Sequence, residues 1–205
     1  MYTPKHFGLD DLAAQHAVIE ACDFGVVVSN GAEGLSATHI PMMLESGEGE
    51  LGTLYGHFAR ANPHGKLFGG SEVLVIFNGP HGYVSPTWYS DRTMNVPTWN
   101  YVAVHAYGVP QALPGEVSAE HLGRLVAKYE ANRANGWSMT ELTDQLREML
   151  PQQVMPFRLP IARIEGKAKL SQNKPRGERE RVIEELKAAG EIKLARRMAD
   201  ALSRV

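Results

Sequence analysis

Of 205 residues one is a cysteine, Cys22. A single thiol excludes an internal disulfide and any multi-cysteine zinc or iron–sulfur site. At the end of an apolar helical pattern it reads as an inert buried thiol rather than a nucleophile. No apolar run reaches the ~18–20 residues of a membrane helix, and Met1–Gly8 lacks the apolar core of a signal peptide. The expected setting is the cytoplasm, with no membrane partner. No G-x-G-x-x-G opens a helix after a strand, and no G-x-x-x-x-G-K-[ST] occurs, so the usual dinucleotide and P-loop cradles are missing. A G-x-S-x-G elbow is missing as well.

Strong charge of one sign is also absent overall, the formal net being −2. Its distribution is uneven. Residues 1–150 carry 8 Lys and Arg against 16 Asp and Glu, and residues 151–205 carry 13 against 7. An acidic body with a basic tail is compatible with phosphate or nucleic-acid contacts, and equally with a solvated helical surface. The length suits one large domain, or a domain of residues 1–175 with a helical extension over 176–205.

Strand-like texture dominates what is present. Asp10–Cys22 reads as a helix with Leu9, Leu12, His16 and Ile19 at helical spacing. Phe24–Asn30 and Leu35–Leu44 then form a hairpin around a Gly31–Gly34 turn. Leu51–Arg60 is a third strand, stopped by Asn62-Pro63. Glu72–Asn78 contains the apolar VLVIF of a strand buried on both faces. Gly79-Pro80 is expected to turn the chain into Tyr83–Tyr89, followed by a strand to about Val109. Ser118–Arg133 is a helix, Ser138–Glu141 a capping box opening a helix that ends near Pro151, and Arg158–Gln172 a last strand. Helices Glu178–Ala189 and Glu191–Arg204 close the chain, with Gly190 as a C-cap. Many short strands with Gly/Pro turns and peripheral helices predict a mainly β, α+β fold: an antiparallel barrel decorated by helices.

The chemistry concentrates in four stretches. Val96–Gly108 (VPTWNYVAVHAYG) alternates as a strand, yet opens with Thr98, Trp99, Asn100 and Tyr101. Buried polar groups need partners, supplied by protein or by a flat ligand with donors and acceptors of its own. ATHIP places Thr38 and His39 mid-strand, GHFARANP places His57, Arg60 and Asn62 at a strand end, and KAKLSQNK offers Lys167, Lys169, Ser171, Gln172 and Asn173. Lys, Ser and Asn groups at a strand end can hold a phosphate. The plain alternatives are a satisfied strand histidine, a turn-forming Asn-Pro and a solvated lysine edge. The eight histidines show neither H-x-x-x-H nor H-x-H, so no metal site is expected. A strand histidine could serve as an axial haem ligand. No local Ser–His–Asp signature stands out.

Taken together, TPKHF, ATHIPMML, GHFARANP, GPHGYVSPTWY, VPTWNYVAVHAYG, RIEGKAKLSQNK and RVIEEL run in order from Met1 to Leu186. This set resembles the PaiB-type proteins, FMN-binding negative transcriptional regulators. The resemblance implies the FMN-binding split β-barrel, of Greek-key type, shared with pyridoxamine-phosphate oxidases and flavin reductases. It also implies a homodimer with flavin at the subunit interface. Cofactor contacts are then expected from Thr38, His39, Ile40 and Pro41, from His57, Phe58, Ala59, Arg60 and Asn62, from Trp99 and Asn100, and from Lys169, Ser171, Gln172 and Asn173. The resemblance names no catalytic residue; flavin reductase chemistry and haem binding are the alternatives. A regulatory role would draw on the terminal helices, where Lys193, Arg196, Arg197 and Arg204 could meet DNA although Glu184, Glu185 and Glu191 oppose it.

Overall fold

A computed structural model describes residues 1–203 except 33, 68 and 69. Glu33, within the expected Gly31–Gly34 turn, and Arg204 therefore lie outside the described residues. Among the described residues, five α-helices and nine strands make an α+β fold. The helices are α1 (Leu12–Ala21), α2 (Ser118–Glu130), α3 (Asp144–Met149), α4 (Arg176–Ala188) and α5 (Ile192–Ser203). The strands are β1 (Phe24–Gly31), β2 (Gly34–Pro41), β3 (Met43–Glu45), β4 (Thr53–Ala59), β5 (Val73–Val84), β6 (Thr98–Gly108), β7 (Gln111–Ala112), β8 (Val154–Pro160) and β9 (Arg163–Lys169). They form a five-stranded sheet ordered β2-β1-β5-β6-β9 and a four-stranded sheet ordered β3-β4-β8-β7.

Chain contacts divide the protein into two compact units. Unit 1 comprises Met1–Cys22, Phe77–His105 and Glu165–Val205; unit 2 comprises Asp23–Ile76 and Ala106–Ile164. In unit 2, β1 and β2 pair antiparallel from Phe24 opposite Pro41 to Gly31 opposite Gly34, and β4 pairs with β8 from Thr53 opposite Pro160 to Ala59 opposite Val154. Phe58 and Phe157, both buried, stack there with ring centroids 5.3 Å apart. In unit 1, α4 and α5 form a hairpin around Gly190, whose φ of 82° suits glycine. Its apolar side, with Val182, Ile183, Leu186, Leu194, Ala195, Met198 and Leu202, is buried. Gly82 of β5 lets it close in, since a side-chain carbon there would lie 2.9 Å from Leu194 Cδ2.

Several elements differ from the sequence expectation. Gly79-Pro80 makes no turn, and β5 runs through it from Val73 to Val84. The ladder to β1 has already ended at Ile76, so the N–H that Pro80 lacks is not missed on that side. Gly79 fits because its Cα faces β6 closely: an added carbon would meet Val102 at 3.0 Å. Tyr83–Tyr89 is not a strand, since Ser85 accepts from Thr87 N–H and caps a 3-10 turn over Pro86–Trp88. The expected last strand is two strands in different sheets. Ile161 N–H donates to Gly52 O at 3.0 Å and Ala162 N–H to Tyr107 O at 2.8 Å, carrying the chain from β8 across to β9. Leu35–Leu44 is likewise broken at Met42, whose N–H donates to Asp23 O at 2.7 Å. The Ser138 capping box exists but opens only a 3-10 turn; Thr143 then caps α3 afresh.

Candidate functional site

In unit 2, Thr38 and Asn62 meet around a histidine outside the candidate set, His64. His64, 3% exposed, sits in a 3-10 turn, Pro63–Leu67, straight after Asn62-Pro63. Its Nε2 shares a hydrogen bond of 2.8 Å with Ser29 Oγ, and its Nδ1 one of 2.8 Å with Thr38 Oγ1. Asn62 completes the set, donating from Nδ2 to Thr38 Oγ1 at 3.4 Å and accepting from His64 N–H at 3.0 Å. Both ring nitrogens are thus served by hydroxyls, which suits a neutral imidazole. Burial holds its pKa below the usual histidine value. Thr38 and Asn62 are brought together, and what they hold is His64. The signal for this was the Asn-Pro-His run, where Asn62 caps the turn that delivers the ring.

A second pair lies between β4 and α2. His57 Nδ1 and His121 Nε2 are 3.0 Å apart, with their rings edge to face. His121 is 4% exposed, and its Nδ1 finds no partner among the described residues; neither does the buried Ser118 Oγ one turn earlier on α2. Burial, then the neighbouring His57 and Arg124, push the His121 pKa down to about 4. Burial also lowers that of His57. Neither ring is built to carry charge. Phe58 lies under His64, ring centroids 5.1 Å apart, and Ile40 packs over Gly56, so both of these candidates are core side chains. Arg60 donates from Nε to Gln152 O at 2.6 Å and from Nη2 to Val154 O at 3.0 Å. His39 is exposed beside Phe24, ring centroids 6.0 Å apart; Pro41 and Ala59 end their strands.

Unit 1 holds the remaining candidates. Asn100, 0% exposed, donates from Nδ2 to Ser171 Oγ at 2.9 Å and to Met198 Sδ at 3.3 Å, joining β6 to α5. Ser171 returns a bond to Asn100 Oδ1 at 3.3 Å and has φ of 62°, unusual for serine. Gln172 folds back on its own backbone, accepting from Leu170 N–H at 2.7 Å and donating to Ala168 O at 2.5 Å. Lys169 Nζ donates to Thr98 Oγ1 and to Trp99 O, the latter at 2.8 Å. Burial and the Lys167 ammonium hold its pKa below the ordinary lysine value. Trp99 is 55% exposed, with Tyr83 edge-on at 6.1 Å and His81 at 6.4 Å. Asn173 is exposed. An aromatic surface open to solvent, with the β9 ammonium of Lys169 bonded to the Trp99 carbonyl, is the arrangement here that could take a flat anionic ligand. Among the described residues no group of three or more His, Cys, Asp or Glu side chains could hold a metal ion.

Residues 1–163 match a protein family described as "Putative FMN-binding domain". The chain belongs to this FMN-binding family. It is 36% identical over 187 residues to "Protease synthase and sporulation protein PAI 2" of Bacillus subtilis, covering 91% of this chain and 89% of the relative. It is also 31% identical over 185 residues to an uncharacterized protein of Emericella nidulans, covering 73% of this chain and 74% of that one. Among solved structures, the flavocytochrome Anf3 of Azotobacter vinelandii superposes with a TM-score of 0.62 at 15% identity, covering 82% of this chain and 72% of that one. The FAD and heme binding protein of Mycobacterium smegmatis gives 0.56 at 14%, covering 74% and 68%. At those identities the likeness is one of fold, and the fold is the split β-barrel with added helices. The family match stops at residue 163, so Lys169–Asn173 and the terminal helices lie beyond it.

Proposed function

We propose that this protein binds FMN as a homodimer in the cytoplasm and acts as a flavin-bearing regulator of the PaiB type. The observation that carries the reading is the family match over residues 1–163. The donor set suits the cofactor: the exposed Trp99 indole offers a face for the isoalloxazine ring, and Lys169 with Asn173 offers donors for the ribityl phosphate. Asn100 and Ser171 have their side chains engaged within unit 1 and would act by holding the Trp99 and Lys169 segments in place. FMN, once bound, supplies one- and two-electron redox chemistry; the chain's part is to bind and orient it and to exclude water.

Direct DNA reading by the α4–α5 hairpin is not part of this proposal, since the exposed Glu184, Glu185 and Glu191 oppose a phosphate backbone beside the exposed Lys193 and Arg196. No helix among the described residues is long and apolar enough to cross a membrane. The direct test is titration of FMN with the purified protein while following flavin fluorescence. Saturable quenching at micromolar concentration, about −8 kcal/mol of binding, supports the reading. Fluorescence unchanged up to ~100 μM FMN, a range where even weak sites of about −5.5 kcal/mol respond, rejects it. A haem band in place of flavin in the protein's absorbance would replace FMN with the haem alternative.

A further inference from the structure

One charged side chain in unit 1 has two buried donor atoms with no hydrogen-bond partner among the described residues. Arg179 lies in the opening turns of α4, on the same face as Val182, Ile183 and Leu186, and is 5% exposed. Its Nε and Nη2 are buried, and neither has a hydrogen-bond partner among the described residues. Those two atoms form one edge of the guanidinium fork, the edge that receives two oxygens of a carboxylate or phosphate side-on. The nearby acids are committed elsewhere. Glu178 accepts from both the amide and the hydroxyl of Ser90, the amide at 3.0 Å, and Glu180 pairs with Arg176 at 2.9 Å. Burial, and then the Arg176 cation of its own sign, holds the guanidinium pKa below its ordinary value. An unpaired buried cation is strongly destabilising, so such a group is normally matched by an anion.

The start of α4 adds to the case. It opens at Pro175 with no side-chain cap; the N–H groups of Glu178 and Arg179 bond the Pro175 carbonyl, and no side chain accepts from those ahead of them. Helical side chains lean toward the N-terminus, which carries the Arg179 fork toward that same end. Fork and helix end together offer charge, two parallel donors and a favourable dipole. We infer that the Nε–Nη2 edge of Arg179 is an oxyanion site, taking the phosphate or carboxylate group of a ligand at the start of α4. The atoms are closed to solvent, so the ligand enters as the first turn of α4 yields. Two hydrogen bonds from Ser90 to Glu178 are among the contacts that hold that turn.

The site does not depend on the FMN reading, and inorganic phosphate is the probe. Thermal unfolding of the full chain is followed in sodium phosphate and in sodium chloride of equal ionic strength, for the wild type, R179M and R179K. Phosphate is expected to raise the wild-type midpoint in a saturable way. The apparent affinity should fall about tenfold or more in R179M, and nearly as far in R179K, which keeps the charge without the fork. Without phosphate, R179M should unfold no earlier than the wild type, since it removes an uncompensated buried charge. A wild type indifferent to phosphate overturns the site, as does an R179M that responds like the wild type or fails to fold. FMN and riboflavin, added as further arms, separate the sources. FMN stabilisation that exceeds that of riboflavin and vanishes in R179M assigns the site to the cofactor's phosphate. An FMN effect untouched by R179M assigns it to a separate oxyanion. FMN failing to bind at all removes the proposed function and leaves the phosphate result standing.

Discussion

Replacing His121 with glutamine probes the buried histidine pair of unit 2 through its dependence on pH. The ordinary histidine value of 6.5 is lowered to about 4 in the folded protein, by burial first and then by His57 and Arg124. A depressed folded value means that the unfolded chain takes up the proton more readily. Stability from this group is therefore fully present above pH 6.5 and drains away as pH falls toward 4. With those two values the wild type loses about 2 kcal/mol by pH 5 and about 3 kcal/mol by pH 4 from His121 alone. Glutamine has no proton to gain in this range, so His121→Gln lacks that loss while His57, His64 and His105, also lowered by burial, titrate in both proteins. Urea unfolding at pH 7.5, 6.5, 5.5 and 5.0 measures the difference. The gap between wild type and variant should shrink or reverse by about 2 kcal/mol over that span. Curves that stay parallel from pH 7.5 to 5.0 would refute the reasoning, because the imidazole would then titrate alike in folded and unfolded chains.

Three further outcomes follow from named contacts. Asn100→Ala should cost about 2–4 kcal/mol, since it empties a buried site and strands Ser171 Oγ; a cycle with Ser171→Ala should show at least about 0.5 kcal/mol of coupling in urea denaturation. Gly108→Ala should destabilise by more than about 3 kcal/mol, because its side-chain carbon would collide with the Pro160 carbonyl oxygen. Gly123→Ala in α2, where nothing lies within 4 Å, should instead stabilise by about 0.5–1 kcal/mol on thermal unfolding. Trp99→Ala should leave stability within about 0.5 kcal/mol and weaken FMN about fivefold to tenfold in the fluorescence titration, the worth of one aromatic stacking partner.

What could be read in the chain was set by local pattern. The period-two runs of β1, β2, β4 and β6 and the helical stripes of α1, α2, α4 and α5 lie within a few residues of where alternation and spacing put them. Gly190 ends α4 as its sequence position suggests. The misreadings came from contacts far along the chain. Gly79-Pro80 looks like a turn until β6 approaches it, and Pro160 to Ala162 look like strand until Gly52 and Tyr107 draw the backbone from one sheet to the other. β7, two residues long, carries no pattern to find.

The candidate site divides the same way. His57, Thr38, Asn62, Asn100, Ser171 and Lys169 stand out in the sequence as polar groups within strands or at their ends. Which partner each would take does not show there, because Ser29 and His64, His121, Met198 and Thr98 are brought to them by tertiary packing alone. Arg179 was hidden among the charges of a helix that looks solvated, and only its burial sets it apart.

The central claim is that this fold retains a flavin. It is tested most directly by incubating the purified protein with FMN, removing unbound flavin by gel filtration and recording the absorbance spectrum of the protein peak. The account predicts flavin bands that travel with the protein, near one FMN per chain. A protein peak free of flavin absorbance, from a chain shown to be folded, would contradict it.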